Sequence, residues 1–388
     1  MKYIERAGKI GVMLDVGFGG AGEVTSFTSI DEVVGNPLIA AAAKGALCDM
    51  LRYAGEVLCL RPAGGGYASC AFGRAKYEGT AGNRITLGVY EEESGYRVVT
   101  YIDGISVSSQ TIAGAEELMD SEYVVFDTSV SLFPTAGVPM TGGADAEEIS
   151  DGTEYAVLLS AFDEYEPDML LTVENDDDFK SAAIEYVRGR RKSGFSMRAV
   201  MLDCATGEDF CFSFSSECGA DALYTVAGML CAMPFYSSVL SLSVGEDAGA
   251  NEVSPERAKA LAGLGQLSLI RYGQEECLRF AYDVSSDGND GSVIRTKDEI
   301  RKRAFEMFCD KFYMRTPTDG SGSDYFDAAV GGIITELGEK YGVLCPASVK
   351  TGVLCGDDGG VTLSVDFSPC ERAAGFDTRV RTETEASL

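Results

Sequence analysis

Between Ser150 and Val284 the chain switches repeatedly between two hydrophobic patterns. Short apolar runs, Asp168–Val173 (DMLLTV) and Arg198–Asp203 (RAVMLD), alternate with segments whose apolar residues recur at helical spacing, Asp178–Lys192 and Ala220–Met233. A strand at Val239–Val244 is expected next. Then comes a helix capped by Ser254 with Pro255 at its first position. A hairpin closes the segment, Gln266–Arg271 with Cys277–Tyr282 around Gly273. Strands that alternate with helices pair in parallel, and the helices cover both faces of the sheet. The segment is therefore expected to form a mainly parallel α/β core.

The flanks read differently. Upstream, Glu23–Phe27 reads as a strand, and Ser29 with Glu32 three residues later gives a helix-capping signal. An alanine-rich helix, Leu38–Tyr53, follows, and then a buried strand, Val57–Arg61, which Ala63–Gly66 breaks. From Tyr67 to Thr141 the period falls to two: Ile85, Leu87 and Val89, then Val99 and Tyr101, then Val107 onward, then Tyr123–Phe126. Ser94-Gly95 and Asp103-Gly104 mark tight hairpins, and Ala115–Met119 is a short helical piece. These residues predict a small antiparallel β-sandwich or barrel inserted before the main core. Its loop Ala75–Asn83 (AKYEGTAGN) has Gly79 and Gly82, which allow positive φ, and Asn83, which tolerates it.

Downstream, Thr296 and Glu299 form a capping box for a helix over Asp298–Tyr313, with Phe305, Phe308, Cys309 and Phe312 on its buried face. A second helix is expected over Tyr325–Tyr341, and two strands, Val361–Phe367 and Phe376–Thr382, close the chain. The expected organisation is a terminal segment 1–22, a first α/β part 23–66, a small β domain 67–145, the main core 146–290 and a last α+β unit 291–388.

The terminal segment holds a short apolar run, Ile10–Val16 (IGVMLDV), that alternates weakly and ends in Gly17, Gly19, Gly20 and Gly22. Such a run is either an edge strand of the local domain or an arm that adds to the sheet of another subunit through backbone hydrogen bonds.

Composition removes several functions. The net charge of −29 leaves no basic face for a nucleic acid and opposes an anionic membrane surface. No apolar run reaches the roughly 18–20 residues of a membrane helix. The first residues lack the apolar core of a signal peptide, so synthesis and folding in the cytoplasm are expected. The acidic run Glu174–Asp178 reads as a solvated loop before a helix and lacks the glycine and distal glutamate of an EF-hand. Twelve cysteines include no C-x-x-C pair, and the sevenfold spacing of Cys204, Cys211 and Cys218 matches no metal site. Cys59, Cys231, Cys277 and Cys309 are expected as small buried hydrophobes. With no histidine in the chain, neither a Ser-His-Asp nor a Cys-His arrangement can form. No catalytic residue, metal or cofactor is assigned.

The lysine–aromatic opening K-Y-x-G-x-x-G-N at Lys76–Asn83, the β-meander after it and the closing TAG-x-x-x-TGG at Thr135–Gly143 together resemble the tail sheath proteins of contractile phage tails and related injection particles. The resemblance extends over nearly the whole chain, including T-x-x-E-I-R and the helices of Ile294–Leu344. Compact sheath proteins of Gram-positive prophages and tailocins are the nearest in pattern. The resemblance implies a subtilisin-like α/β core without a protease triad, an outward β domain and a C-terminal domain that builds a polymer mesh by exchanging strands.

It further implies that Ile10, Gly11, Val12, Met13, Leu14, Asp15 and Val16 form an exchanged arm. At the other end it gives the same role to Val361, Leu363, Val365 and Phe367, and to Phe376, Thr378, Val380 and Thr382. Arg301, Lys302 and Arg303 become candidates for a helix that faces an inner tube. The implied partners are further copies in stacked helical rings, the tube protein, and baseplate and terminator proteins. Assembly is expected in the bacterial cytoplasm, followed by release in a phage tail or tailocin-like particle.

Rival readings are weaker. Gly17–Gly22 (GFGGAG) resembles a phosphate loop, yet it lacks the Gly-Lys-Ser/Thr ending, and the β-like run EVTSF follows where a nucleotide-binding helix should begin. An α/β enzyme is thus disfavoured. A tube protein would be shorter and mostly β, and a secreted adhesin would need a signal peptide. A baseplate-type component remains as the alternative structural role.

Overall fold

The computed structural model describes residues 6–62, 64–145, 152–173, 176–204, 206–245, 248–273, 277–312, 320–344, 350–355 and 361–366. The chain divides into two compact units, Met1–Arg295 and Thr296–Leu388.

The first unit begins with β1 (Lys9–Met13), β2 (Val24–Phe27), the short helix α1 (Ile30–Gly35), α2 (Ala41–Leu51) and β3 (Glu56–Leu60). Ser29 caps α1 as its spacing to Glu32 predicts: its hydroxyl accepts from Glu32 N at 3.2 Å, and Glu32 Oε2 accepts from Thr28 N at 3.2 Å. The inserted β region follows, with β4 (Ser69–Cys70), β5 (Gly73–Ala75), β6 (Ile85–Glu92), β7 (Gly95–Ile102), β8 (Ile105–Ile112), β9 (Val124–Phe126) and β10 (Thr135–Pro139). The chain then returns to the core with α3 (Gly152–Leu159), β11 (Met169–Thr172), α4 (Asp177–Lys192), β12 (Arg198–Leu202), β13 (Cys211–Phe214), α5 (Ala222–Ala232), β14 (Ser243–Val244), α6 (Pro255–Ala262), β15 (Gln266–Leu267), β16 (Leu269–Arg271) and β17 (Leu278–Phe280).

Seven of these strands form one sheet in the order β15-β13-β12-β11-β1-β3-β2. Every pairing in it is parallel except β2 with β3. One face packs Ile10, Val12, Val57, Leu171 and Phe212 against α2 and α5. The other packs Met13, Leu58, Leu170 and Met201 against α3 and α4. Burial on both faces explains why these strands read as near-continuous apolar runs. It also explains α5, whose residues are buried all round except Tyr224.

This sheet overturns the reading of Ile10–Val16 as an exchanged arm. β1 lies in the interior of the sheet, with Ile10 paired to Met169 on one side and to Val57 on the other. Ile10 and Val12 are fully buried. Both backbone edges of this strand are used within its own chain, so none is left to offer a neighbour. The weak alternation of IGVM was the mark of a strand buried on both faces.

The insert is antiparallel throughout. A four-stranded sheet, β10-β6-β7-β8, and a three-stranded sheet, β4-β5-β9, share one core that includes Ile85, Leu87, Val98, Phe72 and Val124. The turns fall where Ser94-Gly95 and Asp103-Gly104 predict, with positive φ at Gly95, Asp103 and Gly104. β13 was not foreseen: CFSF is too short and too mixed to announce a strand, yet all four residues are buried in the sheet. A third small sheet, β14-β17-β16, completes the unit.

In the second unit, α7 (Gly291–Met307), which crosses the division, runs into a single π-turn at Phe308–Phe312. α8 (Gly320–Tyr341) and the hairpin of β18 (Lys350–Cys355) with β19 (Val361–Asp366) follow. α7 starts earlier than its supposed capping box. Asp290 caps it instead, its carboxylate accepting from Ser292 N at 2.7 Å, so Thr296 and Glu299 lie inside the helix. Ile294, Ile300 and Ala304 are buried on α7 and Phe312 is buried in the π-turn, whereas Phe305 and Cys309, expected on the buried face, are exposed. Phe312 packs edge-on against Phe326 at 4.9 Å between ring centroids.

Candidate functional site

The insert is fastened to the core by a polar junction built on Arg61, one residue beyond β3. Its side chain is 2% exposed. Nε donates to Asp15 Oδ1 at 2.9 Å, Nη1 to Gly19 O at 3.1 Å and Nη2 to Glu78 O at 2.8 Å. A buried guanidinium is tolerable only when its donors are met in this way. Arg61 thus ties the end of the central sheet to the glycine run after β1 and to the loop Ala75–Asn83. Asp15, expected in an exchanged arm, is an anchor for Arg61 and accepts from Gly17 N at 2.8 Å.

The loop is clamped at three further points. The Asp145 carboxylate accepts from Thr80 N at 2.7 Å and from Thr80 Oγ1 at 2.8 Å. These two bonds, backbone first, hold its carboxyl below the usual carboxylate range. Glu78 Oε2 accepts from Gly65 N at 3.0 Å. Asn83 meets Gly143 through donor and acceptor alike. Gly79 has φ +105°, and a Cβ there would lie 2.6 Å from Arg61 Nη2. Gly82 and Asn83 need no such freedom, because Thr80–Arg84 forms a 3₁₀ turn. The two motifs that frame the insert in sequence are therefore in direct contact in space. No single-residue signal announced Arg61 as their common anchor.

The candidate assembly segments lie at the other end of the chain. β19 carries Val361, Leu363 and Val365, and pairs antiparallel with β18 from Val361↔Cys355 to Asp366↔Lys350. Among the described residues each strand of this hairpin has one partner, so each presents an unpaired edge. Phe367, Phe376, Thr378, Val380 and Thr382 lie outside the described residues.

The basic cluster on α7 splits. Arg301 pairs with Asp298 at 3.2 Å, and Arg303 pairs with Glu299 at 2.7 Å and with Glu336 at 3.4 Å. Lys302 is exposed and forms no ion pair among the described residues. The structure thus gives Arg301 and Arg303 acidic partners within the chain, while Lys302 is exposed without one among the described residues.

Nine cysteines are free thiols among the described residues. Burial pushes the thiols of Cys59, Cys211 and Cys231 up to about 12. Cys277 is half-buried and Cys309 exposed, against the expectation that both are buried. Among the described residues no group of three or more cysteine or acidic side chains is placed to hold a metal ion, and no helix is long and apolar enough to cross a membrane.

No protein-family model matches the sequence. Two curated proteins of Bacillus subtilis are similar over part of it. The uncharacterized protein YqbK is 30% identical and the phage-like element PBSX protein XkdK is 27% identical, each over 30% of this chain. The matches span 29% of the length of either relative. Solved structures agree over far more of the chain. The sheath tail protein Lin1278 of Listeria innocua is 20% identical, with a TM-score of 0.73 over 95% of this chain and 93% of that one. The sheath tail protein DSY3957 of Desulfitobacterium hafniense is 16% identical, with a TM-score of 0.76 over 95% of this chain and 98% of that one. The helical sheath of the anti-feeding prophage in its contracted state is similar at a TM-score of 0.57 and 11% identity, over 98% of this chain and 94% of that one. The fold of this chain is that of the sheath tail proteins.

Proposed function

We propose that this chain is a structural subunit of a contractile sheath, which polymerises as stacked helical rings around an inner tube and contracts to drive that tube through a target cell envelope. The observation that carries this reading is the shared fold with two sheath tail proteins over 95% of the chain. Such a sheath has two packings of one subunit, and contraction releases the difference in contact energy between them. The parallel core, which the family resemblance makes subtilisin-like, serves here as a rigid body.

The mesh between subunits is assigned to the C-terminal unit. A two-stranded hairpin is marginal by itself and gains stability when further strands join it. The open edges of β18 and β19 support strand addition from neighbouring copies, in which Val361, Leu363 and Val365 take part. The closing segment with Phe367, Phe376, Thr378, Val380 and Thr382 supplies the donated strand. Lys302, beside Arg301 and Arg303, is the charge assigned to the tube. A single exposed ion pair is worth below about 1 kcal/mol, which suits a repeated contact that must release. The tube protein, baseplate and terminator complete the set of partners, with assembly in the bacterial cytoplasm and use in a released particle.

Negative-stain electron microscopy of the purified full chain, alone and with its tube protein, tests this reading. Hollow sleeves or ring stacks are expected. A chain that stays monomeric at every concentration in both preparations would sink it.

A further inference from the structure

The four-stranded sheet of the insert buries one face in the shared core and leaves the other outward. On β6 the inward residues are Ile85, Leu87 and Val89, so Thr86, Gly88 and Tyr90 point out. Register places Tyr101 beside Thr86, Val99 beside Gly88 and Arg97 beside Tyr90. Ser109 and Thr111 of β8 continue the last two rows.

The centre of this face is an aromatic platform. Tyr90 Oη and Tyr101 Oη are 3.0 Å apart, and Tyr90 Oη also donates to Ala136 O at 3.3 Å. Both rings lie over Gly88: a Cβ there would stand 3.0 Å from Tyr90 Cε2 and 3.1 Å from Tyr101 Cε2. Val99, paired with Gly88, is 2% exposed, so no exposed aliphatic side chain interrupts these rows. The Arg97 guanidinium stands 5.1 Å from the Tyr90 ring centroid and pairs with Glu92 at 3.0 Å. Ser109 and Thr111 are exposed.

We propose that this face binds a neutral polysaccharide, with Tyr90 and Tyr101 as the surface on which a sugar ring stacks. A pyranose has an apolar C–H face that suits an aromatic ring, and a rim of hydroxyls that both donate and accept. Tyrosine offers the ring and a polar tip together at low conformational cost. The Arg97–Glu92 pair presents donors and acceptors side by side, matched to neighbouring sugar hydroxyls. Its two charges cancel, so these rows are neutral in a chain of net charge −29, which selects against a charged ligand. Hydroxyls outnumber exposed aliphatic groups on the same rows, which favours a polyol over the apolar centre of a protein interface. The proposal does not depend on whether the chain polymerises.

Isothermal titration calorimetry of the full chain with chitohexaose, cellohexaose and maltohexaose tests it. At least one should bind with a Kd on the order of millimolar or below. Tyr101→Ala and Arg97→Gln should each weaken that binding by about tenfold, a loss of about 1.4 kcal/mol. Because the Tyr101 ring packs over Gly88 within the sheet, its removal can loosen the sheet. Ser109→Arg on the exposed strand therefore supplies a second variant: it keeps both rings, adds bulk beside them and should also abolish binding. The proposal is overturned if none of the three sugars binds at about 10 mM. It is equally overturned if the folded Ser109→Arg variant binds as the parent does.

Discussion

Asn83 and Gly143 grip each other across 60 residues of chain: Asn83 Nδ2 donates to Gly143 O at 2.8 Å, and Gly143 N donates to Asn83 Oδ1 at 2.9 Å. The pair ties the 3₁₀ turn before β6 to the end of the inserted β region, next to the Gly66↔Ala144 bridge where that region leaves and rejoins the core. Asn83→Ala removes both bonds and should cost about 1–2 kcal/mol in urea unfolding. Asn83→Asp keeps the acceptor and sets an anionic oxygen against Gly143 O, so it should cost at least as much as alanine. Gly143→Ala should also destabilise, because a Cβ there would lie 2.5 Å from Gly79 O. Parent-like midpoints for all three would show that the clasp contributes nothing.

Arg61 supports the same junction from below. Arg61→Met strips Asp15, Gly19 O and Glu78 O of their shared donor and should cost about 3 kcal/mol or more. Arg61→Lys keeps the charge without the fork and should recover only part of the loss. Faster proteolysis between the core and the insert is expected in both variants, and an unchanged cleavage pattern would contradict the anchoring role.

The acid and alkaline limbs of stability have separate sources. Burial pushes the Asp283 carboxyl up, but the Arg295 guanidinium, the Ser238 hydroxyl and Val239 N–H together take it below the usual range. A carboxyl lowered by folding contributes stability that is present above its unfolded pKa and lost as pH falls through the folded one. Asp283→Asn should therefore flatten the acid limb of a plot of unfolding free energy against pH.

The thiols act in the opposite direction. Cys59, Cys211 and Cys231 rise from 9.0 to about 12 by burial. Their contribution is complete below pH 9.0 and falls away as pH rises toward 12. Cys59→Ala should blunt this alkaline loss. At pH 8, iodoacetamide should label exposed Cys309 long before these three, and mass spectrometry of the native protein reads the order.

Truncations separate folding from assembly. Deleting residues 1–16 removes β1 from the interior of the seven-stranded sheet and should abolish folding of the first unit. Ending the chain at Asp366 leaves that sheet whole, so folding should survive and, on the sheath reading, sleeves should not form. Circular dichroism with electron microscopy distinguishes the outcomes. A soluble, folded chain lacking residues 1–16 would contradict the placement of β1.

Much of the architecture was written in local pattern. The alternation of apolar runs with amphipathic segments announced β11, α4 and β12 because each segment satisfies its own backbone and shows its buried face in its spacing. Ser29, Ser254 and the two hairpin glycines marked ends and turns, since caps and turns depend on a few adjacent residues. Local pattern misled where two segments offered the same signal. Thr296 and Glu299 have the spacing of a cap, but Asp290 stands earlier and its carboxylate already accepts from Ser292 N in the first turn of α7. Which face of α7 packs was equally beyond local pattern: Ile300 and Ala304 are buried, and Phe305 and Cys309, expected in the core, are exposed.

The sequence by itself determined the parallel core, the antiparallel insert and the two motifs that frame that insert, because periodicity and turn chemistry act over a few residues. Only tertiary structure decided what those parts do for one another. IGVM is equally suited to an arm or to a core strand, and the pairing of Ile10 with both Met169 and Val57 makes it the latter. Arg61, Asn83 and the Tyr90–Tyr101 platform are ordinary residues until segments far apart in sequence meet around them. Their roles arise from burial and hydrogen-bond geometry between distant segments, which no local pattern encodes.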